Sequence, residues 1–289
     1  LRQSKRINLI DNVPLDGPLS IYIETTNICN FKCSFCPESF ENYEEKTGGF
    51  FKMNFDDFKK IADQIKDFNT VVTLNFYMMG EPFVNKELTE FIKYSKQHNI
   101  SKRTIVTSNG TLIKSKNYQD IIDSCLDFLR VSIYGGSEFS HKKNTQNAIP
   151  LSKIKENILG LKNYRDMKQS KTPHIYLKMI ESRDFKENNN FLDYFKNVGD
   201  EIYLEPVMNW NTPDEGNLTG IEESKLLGKQ YFSMKKEVCP FPFYTLVIHS
   251  DLKVSVCCVD WDKQTVIGDL GLNTLKEIWY GEKLREFQL

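Results

Sequence analysis

The stretch "CNFKCSFCPE", residues 29–38, places Cys29, Cys33 and Cys36 within eight positions and closes on a proline and an acid. Structural zinc sites take four ligands, commonly as paired C-x2-C knuckles. Here the spacing is C-x3-C-x2-C, and nothing nearby completes a set of four. Bacterial ferredoxins use a related run with one more cysteine ahead of the proline. Three thiolates on a four-iron cluster leave one iron without a protein ligand, open to a small molecule. A zinc or simple electron-transfer site is the competing reading.

Upstream of the triplet, "LSIYIETT" (19–26) reads as a strand running straight into the cysteine loop. Downstream, "NFDDFKKIADQIKDF" predicts a helix with Asn54 as N-cap and Phe55, Phe58, Ile61, Ala62 and Ile65 on one face. The pattern then repeats. Strands are expected at "VVTLNFYMM", "RTIVTS", "DFLRVSIY", "HIYLKMI" and "EIYLEPV", separated by helices at "KELTEFIKYSKQH", "KNYQDIIDSC", "LSKIKENILGLKNYRDM" and "NNNFLDYFKNV". Six strands alternating with helices predict an α/β fold with a parallel sheet, a partial (β/α)6 relative of the TIM barrel. In such folds the chemistry gathers on the loops after the strands, which puts the triplet at the catalytic mouth.

The barrel is expected over residues 1–208, a linker rich in Gly, Asn, Pro and acids over 209–238, and a small α+β unit over 239–289. That last unit holds a hairpin, "YTLVIHSDLKVSVCC", turning at Ser250–Leu252, and a short helix, "TLKEIWYG". The chain has 289 residues with 38 basic and 39 acidic side chains, a balance that argues against nucleic-acid or membrane-surface partners. No apolar run reaches spanning length and no charged-then-apolar leader opens the chain. Seven cysteines, an odd and clustered set in a lysine-rich chain, suit a reducing cytoplasm rather than a disulfide framework. The first residue is Leu1, so an N-terminal piece is expected beyond this sequence.

The pattern C-x3-C-[aromatic]-C after the first strand of a βα array resembles the radical S-adenosylmethionine (SAM) superfamily. The resemblance implies a [4Fe–4S] cluster on Cys29, Cys33 and Cys36, with SAM chelating the open iron. In that family an electron from the cluster splits SAM to a 5′-deoxyadenosyl radical, which takes a hydrogen atom from substrate. Phe35 matches the aromatic that packs on adenine.

"MMGEP" (78–82) is similar to the family's GGEP motif, which implies that Gly80 and Glu81 bind the SAM ammonium; Met79 replaces the first glycine. A carboxylate with backbone carbonyls suits a cationic amine on physical grounds as well. Without that context the segment reads as a turn. "VTSNG" (106–110) ends the third strand; Ser108 and Asn109 match residues that reach the methionine or ribose part of SAM, against a plain turn and helix cap. In "VSIYGG" (131–136), Ser132 matches a polar residue on ribose or carboxylate, while Tyr134-Gly135 departs from the family's Asp-Gly. Lys178 matches a basic or polar position near the SAM carboxylate; a solvent-exposed lysine is the alternative.

"CPFPFYTLVIHSDLKVSVCCVDW" (239–261) resembles the opening of a SPASM or shorter twitch domain, which implies an auxiliary [4Fe–4S] cluster with Cys239 and Cys257 among its ligands. Asp260 and the later "IGDL" and "TLKEIW" segments also match. The family completes the set with a C-x2-C beyond the helix; the sequence stops at Leu289, so a tail is expected to carry it, a degenerate member of the family being the other reading. Cys258 is either the ligand in place of Cys257 or a spare thiol. Cys125 is expected to pack on an apolar helix face. His98, His141, His174 and His249 show no metal spacing; His141 and Glu138, in the loop after the fourth strand, are expected at the surface, with contact to substrate as the other reading. Tyr77, Tyr134, Glu205 and Asn209 lie near strand ends and are candidates to line the cavity.

The resemblance implies an enzyme that needs an electron donor such as flavodoxin or ferredoxin. Only 28 residues precede Cys29, too few for a leader-peptide-binding domain, which favours a small, polar, sugar- or aminocyclitol-like substrate. Dehydrogenation, epimerisation or related chemistry follows. Modification of a peptide or protein side chain, and a non-enzymatic iron–sulfur carrier, are the other readings.

Overall fold

A computed structural model describes residues 8–205 and 238–289. Six strands follow one another across the sheet as neighbours, all parallel: β1 (Ser20–Ile23), β2 (Thr73–Phe76), β3 (Arg103–Ser108), β4 (Phe128–Ile133), β5 (His174–Ile180) and β6 (Glu201–Glu205). Between them run α1 (Tyr43–Thr47), α2 (Phe55–Lys66), α3 (Leu88–Gln97), α4 (Tyr118–Asp123), α5 (Glu138–Thr145), α6 (Leu151–Met167) and α7 (Phe185–Tyr194). This is the partial barrel expected from the alternation.

The strands separate two environments by their period of two. On β5, Ile175, Leu177 and Met179 are buried in the main apolar core, while Lys178 and Ile180 line an internal cavity. On β4 the inward set includes Arg130 and Ser132. Apolar side chains therefore hold the helices outside, while Arg130, Ser132 and Lys178 face inward among apolar neighbours such as Ile180.

Helix α2 shows how local sequence builds the outer layer. The Asn54 side chain accepts the Asp57 backbone N–H at 2.8 Å, and Phe58, Ile61, Ala62 and Ile65 are all buried. Phe58 stacks on Phe91 of α3 with ring centroids 4.4 Å apart. Replacing the cap, Asn54→Ala, is expected to cost about 1 kcal/mol, read as a lower urea midpoint with unchanged slope.

The C-terminal unit contains β7 (Thr245–Ile248), β8 (Lys253–Ser255), β9 (Val266–Asp269), α8 (Leu275–Trp279) and α9 (Glu282–Gln288). The β7–β8 turn falls at residues 249–252, as its sequence implies; β9 was not anticipated. The unit shares the barrel's sheet. β7 pairs parallel with β1, with Ile21 opposite Leu246, and β8 and β9 extend the sheet antiparallel. Buried Glu24 accepts both the backbone N–H and the hydroxyl of Ser250 at 2.9 Å, and Trp279 Nε1 donates to the Leu15 carbonyl.

Three expectations need correction or limits. Cys125 is exposed, because α4 ends at Asp123 and the thiol falls in the following turn, where its φ is 57°. His141 is fully buried: the segment after β4 folds into α5, capped by Ser137, and turns the imidazole onto Phe31 at 5.9 Å. Glu138 is exposed, as expected, and accepts the Leu151 and Ser152 backbone N–H groups at the start of α6. The linker and Asn209 lie outside the described residues. Among the described residues no helix is long and apolar enough to cross a membrane.

Candidate active site

The loops after β1, β2 and β3 are bound to one another around a single cavity of about 340 Å³. Cys29, Cys33 and Cys36 line one wall, with Phe35 beside them; its ring lies 5.4 Å from that of Tyr134. The Phe31 backbone N–H points at Cys29 Sγ at 3.4 Å, and Asn109 Nδ2 lies 4.0 Å from the same sulfur. Asn109 also donates to Asn30 Oδ1 at 2.8 Å, so the strand-end residue holds the cysteine loop in place.

Gly80 explains why this turn needs glycine. Its φ is 75°, and a Cβ there would sit 2.3 Å from the Thr26 carbonyl oxygen. The next residue, Glu81, donates its backbone N–H to the Ile28 carbonyl at 3.0 Å, one residue before Cys29. The Glu81 carboxylate accepts from Ser108 Oγ and the Asn109 N–H, both at 2.7 Å, and from the Phe83 N–H at 3.2 Å. Burial nevertheless pushes its pKa up to about 7. A cationic neighbour in the cavity would favour the ionised form.

Glu38, the acid that closes the opening motif, was not singled out from the sequence. It is 2% exposed; Oε1 accepts the Gly80 N–H at 2.6 Å and Oε2 has no partner. Ser132 lines the cavity as expected. Lys178 also lines it, but its ammonium is engaged by Glu205 Oε2 at 2.7 Å, and burial holds its pKa below the usual lysine range. It is therefore neither free nor fully in solvent. Arg130, Tyr22 and Tyr77 also line the cavity; Arg130 was missed, although strand alternation puts it on the same face as Ser132.

The C-terminal cysteines divide. Cys258 lines the barrel cavity beside Tyr22, whereas Cys257 is half-buried away from it and Cys239 is exposed. Both neighbouring thiols are raised in pKa, first by burial and further by the proximity of Cys239, with Cys258 pushed up to about 11.

The donor set of the first triplet suits an iron–sulfur cluster. Burial, the adjacent thiols and the nearby carboxylates push Cys29 and Cys33 well above the usual thiol range, and burial with Glu38 pushes Cys36 up to about 12. Metal ligation takes cysteine as the thiolate, and three thiols on one loop supply three such ligands. Among the described residues no three His, Cys, Asp or Glu side chains converge as ligands of a single ion.

Residues 23–191 match the model of the radical SAM superfamily, which spans more than half of the chain. The chain belongs to the radical SAM superfamily. Residues 239–289 match the SPASM iron–sulfur cluster-binding domain, so this radical SAM protein carries the family's SAM-binding [4Fe–4S] cluster and an auxiliary-cluster domain. It is 24% identical, over 91% of its length and 74% of the other's, to a tungsten-containing aldehyde ferredoxin oxidoreductase cofactor-modifying protein of Pyrococcus furiosus. It is 25% identical to an S-adenosyl-L-methionine-dependent 2-deoxy-scyllo-inosamine dehydrogenase of Niallia circulans, over 41% of this chain and 46% of that protein. The second match thus spans less than half of its relative. Its fold is also that of BtrN, solved in complex with AdoMet and 2-DOIA (TM-score 0.57, 15% identity, 93% of this chain and 85% of that one).

Proposed function

We propose that this radical SAM enzyme abstracts a hydrogen atom from a small, polar, sugar-like substrate held inside the barrel, in a dehydrogenation, epimerisation or related reaction. One observation carries the reading: three thiols, the Gly80–Glu81 turn and the ends of β3 and β4 meet at one cavity that also holds Arg130, Lys178, Glu205 and Tyr77. The similarity to an aminocyclitol dehydrogenase supports the substrate class.

In this reading Cys29, Cys33 and Cys36 hold the cluster, which when reduced supplies the electron that cleaves SAM. Glu81 and the backbone at Gly80 receive the SAM ammonium, Phe35 packs on the adenine, and Ser108, Asn109 and Ser132 bind the ribose and methionine portions. Lys178 contributes through its pair with Glu205 rather than as a free cation. Enclosure by Tyr22, Tyr77 and Phe241 keeps bulk water from a reactive carbon radical. We assign the barrel to residues 1–208, the linker to 209–238 and the auxiliary unit to 239–289, with a flavodoxin- or ferredoxin-type donor in the cytoplasm.

The test is anaerobic reconstitution with iron and sulfide, then dithionite and SAM. Formation of 5′-deoxyadenosine is expected; its absence from a fully loaded protein would favour the electron-carrier reading instead. In the full-length protein, Cys257→Ala should lower bound iron by roughly four per chain. Substrate-free SAM cleavage should stay within about three-fold, since Cys257 lies away from the cavity. Unchanged iron would remove Cys257 from the auxiliary ligand set.

A further inference from the structure

We propose that Arg130, with Lys178 and Tyr77, forms an anion subsite inside the barrel that binds a carboxylate or phosphate carried by the substrate. It rests on the radical-enzyme reading above and narrows its substrate to one that carries an anionic group, such as a sugar acid or sugar phosphate.

The cluster has unequal charge. Glu205 offers one carboxylate to two cations: Oε1 meets Arg130 Nη2 at 3.3 Å and Oε2 meets Lys178 Nζ at 2.7 Å. Arg130 Nη1 donates to the Tyr77 hydroxyl at 3.1 Å, with the guanidinium 5.6 Å from the ring centroid. Among the described residues, those contacts leave Arg130 Nε buried with no acceptor, and the Thr107 hydroxyl, on the same cavity, is buried and unpaired as well. Two basic side chains sharing one carboxylate, beside an unpaired donor, are costly to bury unless a ligand satisfies them. An arginine fork suits a planar carboxylate or a phosphate.

Depth separates Arg130, though not Lys178, from the SAM position proposed above. Ser132 of β4 is in register with Lys178 of β5, and Arg130 lies two residues earlier along β4, about 7 Å further from the strand ends. The carboxylates at the other end of the cavity are bound elsewhere: Glu38 by Gly80, and Glu81 by Ser108 and Asn109. An anion reaching past the strand ends meets the arginine.

Binding is measured calorimetrically on the iron-loaded, SAM-saturated protein without reductant, so that failure to cleave SAM does not enter the result. Glucose 6-phosphate and glucuronate are compared with glucose. At least one anionic sugar should bind about ten-fold or more tightly than glucose, and which one does identifies phosphate or carboxylate as the group. Arg130→Gln should remove that preference, Arg130→Lys should keep part of it, and Glu205→Gln, which releases both cations, should strengthen anion binding several-fold. SAM affinity, measured by equilibrium dialysis, should hold in Arg130→Gln. Equal binding of glucose and both anions, an unaltered preference in Arg130→Gln, weakened anion binding in Glu205→Gln, or a matching loss of SAM affinity in Arg130→Gln would each overturn the proposal.

Discussion

Cys33→Ala is expected to lose roughly four iron atoms per chain with the absorbance band near 400 nm, and to form 5′-deoxyadenosine at less than about one-thousandth of the wild-type rate. The size of the effect follows from the arithmetic of the triplet. In the proposed ligand set the three thiols leave one iron to SAM, so removing another would take away a ligand for which the described cavity holds no substitute cysteine on that wall. Cys33 is also the buried member of the three, at 6% exposure, so solvent thiols cannot readily replace it. Cys125→Ala is the matched control. That thiol is exposed in the turn after α4, and its removal should leave iron content and cleavage unchanged. Wild-type iron and cleavage in Cys33→Ala would remove the triplet from the catalytic machinery.

Gly80→Ala should have the second-largest effect, and for a backbone reason. The added methyl would meet the Thr26 carbonyl at 2.3 Å and both polar backbone atoms of Ile28 at 3.0 Å, at a residue whose φ of 75° already disfavours a side chain. Nothing there is the flexible end of a side chain, so the backbone itself must shift. A cost of about 3 kcal/mol is expected, seen as a lower urea midpoint. The same shift moves Glu81 and loosens the N–H contact from Gly80 to Glu38, so SAM affinity should fall at least about ten-fold. A midpoint equal to wild type would mean that the turn has another conformation in solution.

Much of this architecture was legible because local patterns agreed with one another. The 3.6-residue stripe of α2, its Asn54 cap and the alternation in β3 and β5 each name an element alone, and consecutive parallel pairing follows from their order. The cysteine loop was equally plain, since three thiols at that spacing have few uses. Side chains whose role depends on a distant partner were harder to read. Arg130 looks like an ordinary strand residue until Glu205, 75 positions later, comes beside it. Glu38 sits next to the motif, yet its tie to Gly80 spans 42 positions. His141 misled because "GGSEFSH" has the composition of a loop, while Ser137 caps a helix there and Phe31 draws the ring inward.

The parallel pairing of β7 with β1 has a further bearing on how an open barrel avoids edge-to-edge association. A half-closed sheet has two raw borders, and the first strand would otherwise offer its unpaired amides and carbonyls to any passing chain. The auxiliary domain covers that border through four successive residue pairs, Ser20 to Ile23 against Thr245 to Ile248. The segment that matches the cluster-binding domain thus also seals the first domain's flank.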